Sequence, residues 1–197
     1  LIFIPGKIYA LVGKNGVGKT SMFYSFLGIN DQNNDNWKFS YIIGTNTQHY
    51  YNTETKNITH IFFQDPYIFD NTIWYNINYG IKEFTNTIYD TTSHVYNLAK
   101  DIGLYEWLIK NRDKQTGPNG SFLSGGEKKK IQLLNLVLIN KLIYLFDEPT
   151  NNLDADNLKI YHEIVKKLIN DNKIVIIITH DINIIKKSDS IATLTNE

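Results

Sequence analysis

The chain has 197 residues, 42% of them hydrophobic, which suits one globular domain or a domain with a subdomain. Lys and Arg number 20 against 20 Asp and Glu, so the chain lacks the basic excess of a general nucleic-acid binder. There is no cysteine, which excludes disulfides, thiolate metal sites and a cysteine nucleophile, and no apolar run reaches the roughly 20 residues that a transmembrane helix needs.

The chain opens Leu1-Ile2-Phe3-Ile4-Pro5-Gly6, without an initiator Met or the charged region of a signal peptide, and reads as cut from something longer. Ile2 to Ile4 predicts a strand tail, and Pro5-Gly6 a turn into a strand over Lys7 to Val12. Gly13-Lys14-Asn15-Gly16-Val17-Gly18-Lys19-Thr20 follows, and then Ser21 to Leu27, a helix ending near Gly28. A glycine-rich connection between a buried strand and a helix makes a phosphate cradle. Its glycines let successive N–H groups point inward, the helix start adds positive dipole, Lys19 adds a full charge, and Thr20 offers a hydroxyl to Mg²⁺.

From Ile29 to Thr59 the signals are weak, with an Asn-rich patch at 31–37 and one short strand at Phe39 to Ile43. Ile58 to Phe63 reads as a further strand, closing at Gln64-Asp65-Pro66. Residues 66–122 then turn aromatic and helical, with segments at Thr72 to Tyr79, Thr92 to Ile102 and Leu104 to Lys110 and a loop at Gln115 to Gly120. This is a candidate helical subdomain inserted into a core made of residues 1–65 and 123–197.

Ser124-Gly125-Gly126-Glu127 opens a long helix. Ser with Glu three residues on is a capping box, but two glycines at a helix start exceed what capping needs and suggest close approach by backbone or phosphate. Lys128-Lys129-Lys130 reads as a solvated face. Leu142 to Phe146 is an apolar strand ending in Asp147-Glu148-Pro149. A helix over Ala155 to Asn170 follows, apolar at Leu158, Tyr161, Ile164, Val165 and Leu168. Ile174 to Thr179 is the last predicted strand, capped by His180-Asp181.

Continuous apolar strands alternating with helices imply an α/β fold with a mostly parallel sheet, whose ligands bind at the carboxyl ends of the strands. That rule gathers the cradle, Gln64, Asp147-Glu148 and His180 on one edge. Asp147 suits Mg²⁺ held through water. Glu148 suits a base toward a water attacking a γ-phosphate, Gln64 a metal or water contact, and His180 a γ-phosphate contact. An acidic pair capping the next helix, an ordinary loop amide and a structural histidine are the plainer readings of the same residues.

Taken together, these residues resemble the nucleotide-binding domain of an ABC ATPase, a P-loop NTPase, over nearly the whole chain. The matching motifs are the Walker A loop at 13–20, the Q-loop Gln64, the signature Leu123-Ser124-Gly125-Gly126-Glu127, Walker B at Leu142 to Asp147 with Glu148, the D-loop Asn151-Asn152-Leu153-Asp154, and the switch His180. The resemblance implies ATP bound by Gly13, Asn15, Gly16, Val17, Gly18, Lys19, Thr20 and Ser21. It implies Mg²⁺ at Thr20, Gln64 and, through water, Asp147, with Glu148 as base and His180 and Gln64 as its catalytic companions. Ser124, Gly125, Gly126 and Glu127 would serve the ATP of a second nucleotide-binding domain.

Gln64 to Ile77 is similar to the exporter type, where this stretch receives a membrane domain. Tyr79-Gly80, Val95 to Lys100 and Leu123 to Lys128 are similar to the mitochondrial and heavy-metal-tolerance branch. The pattern departs at Pro118, where exporters usually carry a glutamate, at Asn135, near the place of an arginine, and at Asn151-Asn152. By the same resemblance, the adenine-stacking aromatic lies upstream of Leu1. The expected function is ATP hydrolysis driving export, in a dimer joined to a transmembrane domain outside this chain, on the cytosolic or matrix face of a plasma or mitochondrial inner membrane and without nucleic acid. The alternative is a soluble ABC ATPase that remodels ribosomes or DNA.

Overall fold

Four apolar segments and one mixed one run side by side as a single parallel sheet. The computed structural model describes residues 2–27, 39–43, 46–50, 52–79, 91–151 and 153–195. The expectations at Gly28, in the Asn-rich patch 31–37, at Gly80 and at Asn152 lie outside the described residues. The chain divides into two compact units. One comprises Leu1–Phe63, Lys141–Pro149 and Leu168–Glu197, and the other Gln64–Asn140 and Thr150–Lys167.

In the first unit the strands are β1 (Lys7–Val12), β4 (Thr59–Phe62), β5 (Ile143–Asp147), β6 (Ile174–Ile178) and β7 (Ser190–Thr193), in the order β4-β5-β6-β1-β7. Every neighbouring pair is parallel. The central strand β6 is Ile-Val-Ile-Ile-Ile, buried at every position, as a strand covered on both faces requires. One set of alternating side chains, Ile174, Ile176 and Ile178 with Tyr9, Leu11, Ile61 and Leu145, packs on Met22, Phe23 and Phe26 of helix α1 (Lys19–Phe26). A hairpin of β2 (Phe39–Ile43) and β3 (Asn46–Tyr50) and helix α2 (Asn52–Ile58) complete the stretch before β4.

The structure departs from the sequence reading at both ends of the chain and before β4. Ile2 and Ile4 form no strand: both are exposed, while Phe3 meets Tyr9 edge-on and the Ile4 amide donates to the Tyr9 hydroxyl. The polar run Asn46–Tyr50 is nevertheless a strand, because its partner Phe39–Ile43 supplies the ladder that its own composition does not advertise. Beyond His180 lie a further helix, Ile182–Lys187, and the edge strand β7, whose residues are mostly exposed.

The second unit is helical: α3 (Ile73–Asn78), α4 (Thr91–Asp101), α5 (Tyr105–Asn111), a 3₁₀ turn at Pro118–Gly120, α6 (Gly125–Leu138) and the first part of α7 (Ala155–Asn170). Helices α3 and α4 both pack on α6, and Ile73 and Ile77 of α3, Val95 and Ala99 of α4 and Ile131 and Leu134 of α6 are all buried. Two buried polar side chains fix the segment before α3. The Asn76 amide donates to the Phe69 and Thr72 carbonyls and accepts from the Phe69 N–H, and the Thr116 hydroxyl bonds the carbonyls of Phe69 and Asn71. Asn135, near the family's arginine position, donates to the carbonyl of Asn76 at 3.1 Å and so ties α6 to α3.

Ile176 is 1% exposed at the centre of the first unit's core. Truncating Ile176 to alanine should cost about 2–5 kcal/mol of stability, from lost burial and the cavity left behind. Urea unfolding monitored by circular dichroism checks this, and a loss below about 1 kcal/mol would mean that the packing is looser than described.

Candidate functional site

The parallel arrangement brings the carboxyl ends of β1, β5 and β6 to the same side of the first unit. The loop after β1 turns through Gly16 (φ 81°) and Gly18 (φ 97°), conformations that residues with a Cβ rarely adopt. A Cβ on either would meet nothing within 4 Å, so the cradle is open where a ligand has to enter. At Gly13 the reason for glycine is different: a Cβ there would stand 2.8 Å from the carbonyl oxygen of Leu194 and 3.0 Å from Val17. Helix α1 begins here with no side-chain cap and no acid in its first turn, so its positive end is not neutralised by the chain itself.

Lys19 is buried, and its ammonium donates to the carbonyls of Gly13 (2.7 Å) and Lys14 (3.0 Å), which holds the charge over the loop. The Thr20 hydroxyl donates to Asp147 Oδ2 at 3.2 Å. Asn15 and Ser21 are exposed, and Val17 is half-buried. Asp147 is the last residue of β5, in register with Ile178 of β6. Burial pushes its carboxyl above the ordinary range, against the pull of the Thr20 hydroxyl and the Lys19 charge.

Glu148 follows in the left-handed region, at φ 45°, while its N–H donates to the Ile178 carbonyl at 3.0 Å. The sheet ladder thus holds the backbone in a strained conformation, and one that turns the chain sharply after Asp147. Burial is also the main influence raising the Glu148 carboxyl, with Asp147 adding to it and His180 and Lys19 opposing. His180 Nε2 lies 3.5 Å from Glu148 Oε1, with the imidazole more than half exposed.

This unit therefore gathers the cradle, Asp147, Glu148 and His180. The Thr20 hydroxyl and the Asp147 carboxylate are hard oxygen donors that fit Mg²⁺, and the open glycines with Lys19 fit a polyphosphate. Gln64 opens the second unit, with an exposed side chain.

In the second unit, the capping box predicted at Ser124 is complete. Ser124 Oγ accepts from the Glu127 N–H at 3.2 Å, and Glu127 Oε2 accepts from the Ser124 N–H at 2.8 Å. Glu127 Oε1 also pairs with Lys114 at 2.7 Å. Burial opposes ionisation of Glu127, but Lys114 and the Ser124 N–H together outweigh it and hold the carboxyl below its usual range. Gly126 has a close neighbour that its sequence context did not reveal: a Cβ would lie 3.3 Å from Asn157 Nδ2 and 3.5 Å from Asp154 Oδ2. Gly125 faces open space. Pro118 starts the 3₁₀ turn, and Gly120 (φ 68°) packs so closely on Ile68 and Lys128 that a Cβ would clash.

The lysine run is not a uniformly solvated face. Lys128 donates to the Asn119 carbonyl, Lys130 lies over the Trp107 ring, and Lys129 is 6% exposed with its ammonium 2.6 Å from the Gln64 carbonyl oxygen. Consecutive residues on a helix point about 100° apart, which was the available sign that the three would not share one environment.

Residues 1–151 match the family described as ABC transporter. Among curated relatives, the chain is 30% identical over 192 residues to the iron-sulfur clusters transporter ABCB7, mitochondrial, of Danio rerio, covering 96% of this chain and 24% of that protein. It is 28% identical over 198 residues to the multidrug resistance protein pgp-1 of Caenorhabditis elegans, covering 98% of this chain and 14% of that one. The chain thus spans about a quarter or less of the length of these relatives. The fold superposes on a bacterial Atm1-family ABC exporter with ATP bound, with a TM-score of 0.78 at 26% identity over 98% of this chain and 32% of that one. Among the described residues, no helix is long and apolar enough to cross a membrane.

Because the folded protein raises the Asp147 pKa, ionisation of this carboxyl opposes folding at pH values above the folded pKa, and the penalty vanishes below the unfolded value near 3.9. Asp147→Asn should therefore raise the melting temperature of the ligand-free protein at pH 7. The gain should shrink as the pH falls through the carboxylate range. Thermal scans of both proteins from pH 7 to pH 4 test it, and an Asn variant that melts lower at pH 7 would contradict it.

Proposed function

The chain belongs to the ABC transporter family, and on that footing we propose that it is the ATP-hydrolysing motor of a membrane exporter, working as a pair of nucleotide-binding domains. The observation that carries the reading is the convergence, in one unit, of the Lys19 cradle with Asp147, Glu148 and His180 at adjacent strand ends. ATP is the substrate such a cradle suits: the loop N–H groups from Gly13 to Lys19, the Lys19 ammonium and the start of α1 with Ser21 hold its phosphates, with Asn15 and Val17 lining the loop.

Thr20, Asp147 and Gln64 are the residues to hold Mg²⁺, which when bound offsets the charge of the phosphates. Glu148 has the features of a general base: a carboxylate shifted toward neutrality by burial, fixed by its backbone bond to β6 and steered by His180. It takes the proton of the attacking water while His180 contacts the γ-phosphate. Ser124, Gly125, Gly126 and Glu127 act on the nucleotide of the second domain. In this reading residues 66–122 form the helical subdomain within the core of 1–65 and 123–197.

The exposed aromatic surface of Tyr67, Tyr75 and Tyr79 around Phe69 supports docking on a transmembrane partner outside the chain, and in this reading the domain works at the cytosolic or matrix face of a membrane. The named relatives support export over a role on ribosomes or DNA, as does the zero net charge.

Glu148→Gln should leave ATP binding within about threefold while lowering turnover about 10²- to 10⁴-fold, the usual contribution of a positioned base. Equilibrium binding of a fluorescent ATP analogue and steady-state phosphate release by the full-length protein measure the two. Undiminished turnover removes Glu148 from this role.

A further inference from the structure

We propose that Lys129 is a positioning residue for Gln64: its buried side chain ties the backbone that follows β4 to the helix that begins at Ser124, so that the two elements move as one piece. This rests on the ATPase reading above and adds to it a residue in a run whose composition reads as plain surface charge. Lys129 is the fifth residue of α6, one turn beyond the Ser124 cap, and its ammonium reaches across 65 positions of sequence to the Gln64 carbonyl at 2.6 Å.

Several observations make this more than a chance contact. The side chain is 6% exposed, and an ammonium so placed is tolerated only where charge-assisted hydrogen bonds replace its water. Its surroundings supply them through the Gln64 carbonyl at 2.6 Å and the Gln132 amide oxygen at 3.5 Å, and the Asp65 carboxylate adds a charge attraction. Burial pushes the ammonium down to about 8, with Asp65 pulling it back up, so the group remains charged at neutral pH. The flanking lysines are engaged elsewhere, Lys128 on the Asn119 carbonyl and Lys130 over Trp107, so neither can substitute without turning the helix.

What the tie fixes and what it leaves free give it a function. The main chain of Gln64 is anchored, while its amide side chain is exposed. A rigid backbone under an available polar side chain is the arrangement that preorganises a ligand contact. At the other end of the tie lies the Ser124 cap, whose face is read above as serving the second nucleotide. A displacement of either end is carried to the other through one short bond and one turn of helix.

The test is a comparison of Lys129→Met, which keeps the apolar stem and removes the donor, with Lys129→Arg, which keeps charge and donors, in the full-length protein. Lys129→Met should lower kcat for ATP about 10- to 100-fold while the KM for ATP stays within about threefold, and Lys129→Arg should recover kcat to within about threefold of wild type. Hydrogen exchange should show the amides around Gln64 and Asp65 exchanging faster in the Met variant, with those of α4 unchanged. If the Met variant does not fold, Lys129→Gln, which is too short to reach the carbonyl, replaces it with the same expectations. A Met variant with wild-type kcat overturns the proposal, as does an Arg variant that loses as much as the Met variant, or unchanged exchange around Gln64. A wild-type protein that hydrolyses no ATP, or Glu148→Gln with full turnover, would instead remove the ATPase reading itself.

Discussion

The constraint on which the site depends is that every strand of the five-stranded sheet runs in the same direction. A parallel sheet places all its carboxyl ends at one edge, so chemistry scattered over residues 13–20, 147, 148 and 180 needs no special loops to converge. It needs only register, and the register is set by apolar runs that are buried almost throughout, such as Ile174–Ile178 beside Ile143–Phe146. Because side chains alternate across a sheet, a slip of one residue between β5 and β6 would exchange which of Asp147 and Glu148 stands beside Ile178. The core thus positions the acids, although no acid belongs to it.

That placement has an energetic consequence. The same low-polarity surroundings that stabilise the sheet raise both carboxyls at the end of β5, and the Lys19 and Thr20 groups answer this only in part. Glu148 carries the further cost of a left-handed backbone held by its bond to Ile178. A run of apolar strand followed by two desolvated acids and a strained peptide is poor design for stability alone. It is coherent as a site that gains by meeting a cation and a polyphosphate, and natural proteins concentrate such local conflicts where they function.

Sequence reading reached β1, β4, β5, β6, α1 and the α7 helix because each is long, periodic or bounded by strong turn residues, and it reached the cradle because glycine spacing leaves few alternatives. It missed β3 and β7, where Asn46-Thr47-Gln48-His49-Tyr50 and Ser190-Ile191-Ala192-Thr193 owe strand structure to a partner's ladder rather than to their own patterning. It also missed Asn76 and Thr116, buried polar residues whose role is to satisfy loop backbone distant in sequence, and Lys129, hidden between two lysines of different fate. These misses share a cause. A polar side chain's burial is decided by which carbonyl the fold brings within 3 Å, and that information is tertiary.

The Ser124 cap shows how a structural and a ligand role can coexist in one side chain. Sequence logic gives Ser124 the cap and reads the two glycines after it as a sign of close approach by backbone or phosphate. The geometry shows how both can hold, because the cap uses Ser124 Oγ as an acceptor, taking the Glu127 N–H at 3.2 Å. A hydroxyl has two lone pairs and one proton, so capping consumes an acceptor and leaves the O–H able to donate. Glu127 completes the arrangement by binding the Ser124 N–H and the Lys114 ammonium, which keeps its negative charge occupied beside a helix start that must otherwise attract anions. Gly125 faces open space and Gly126 lies close to Asp154 and Asn157, so the two glycines have separate reasons, one of access and one of packing. The cap therefore uses an acceptor of Ser124 and not its donor, so closing the helix does not commit the O–H against a ligand oxygen.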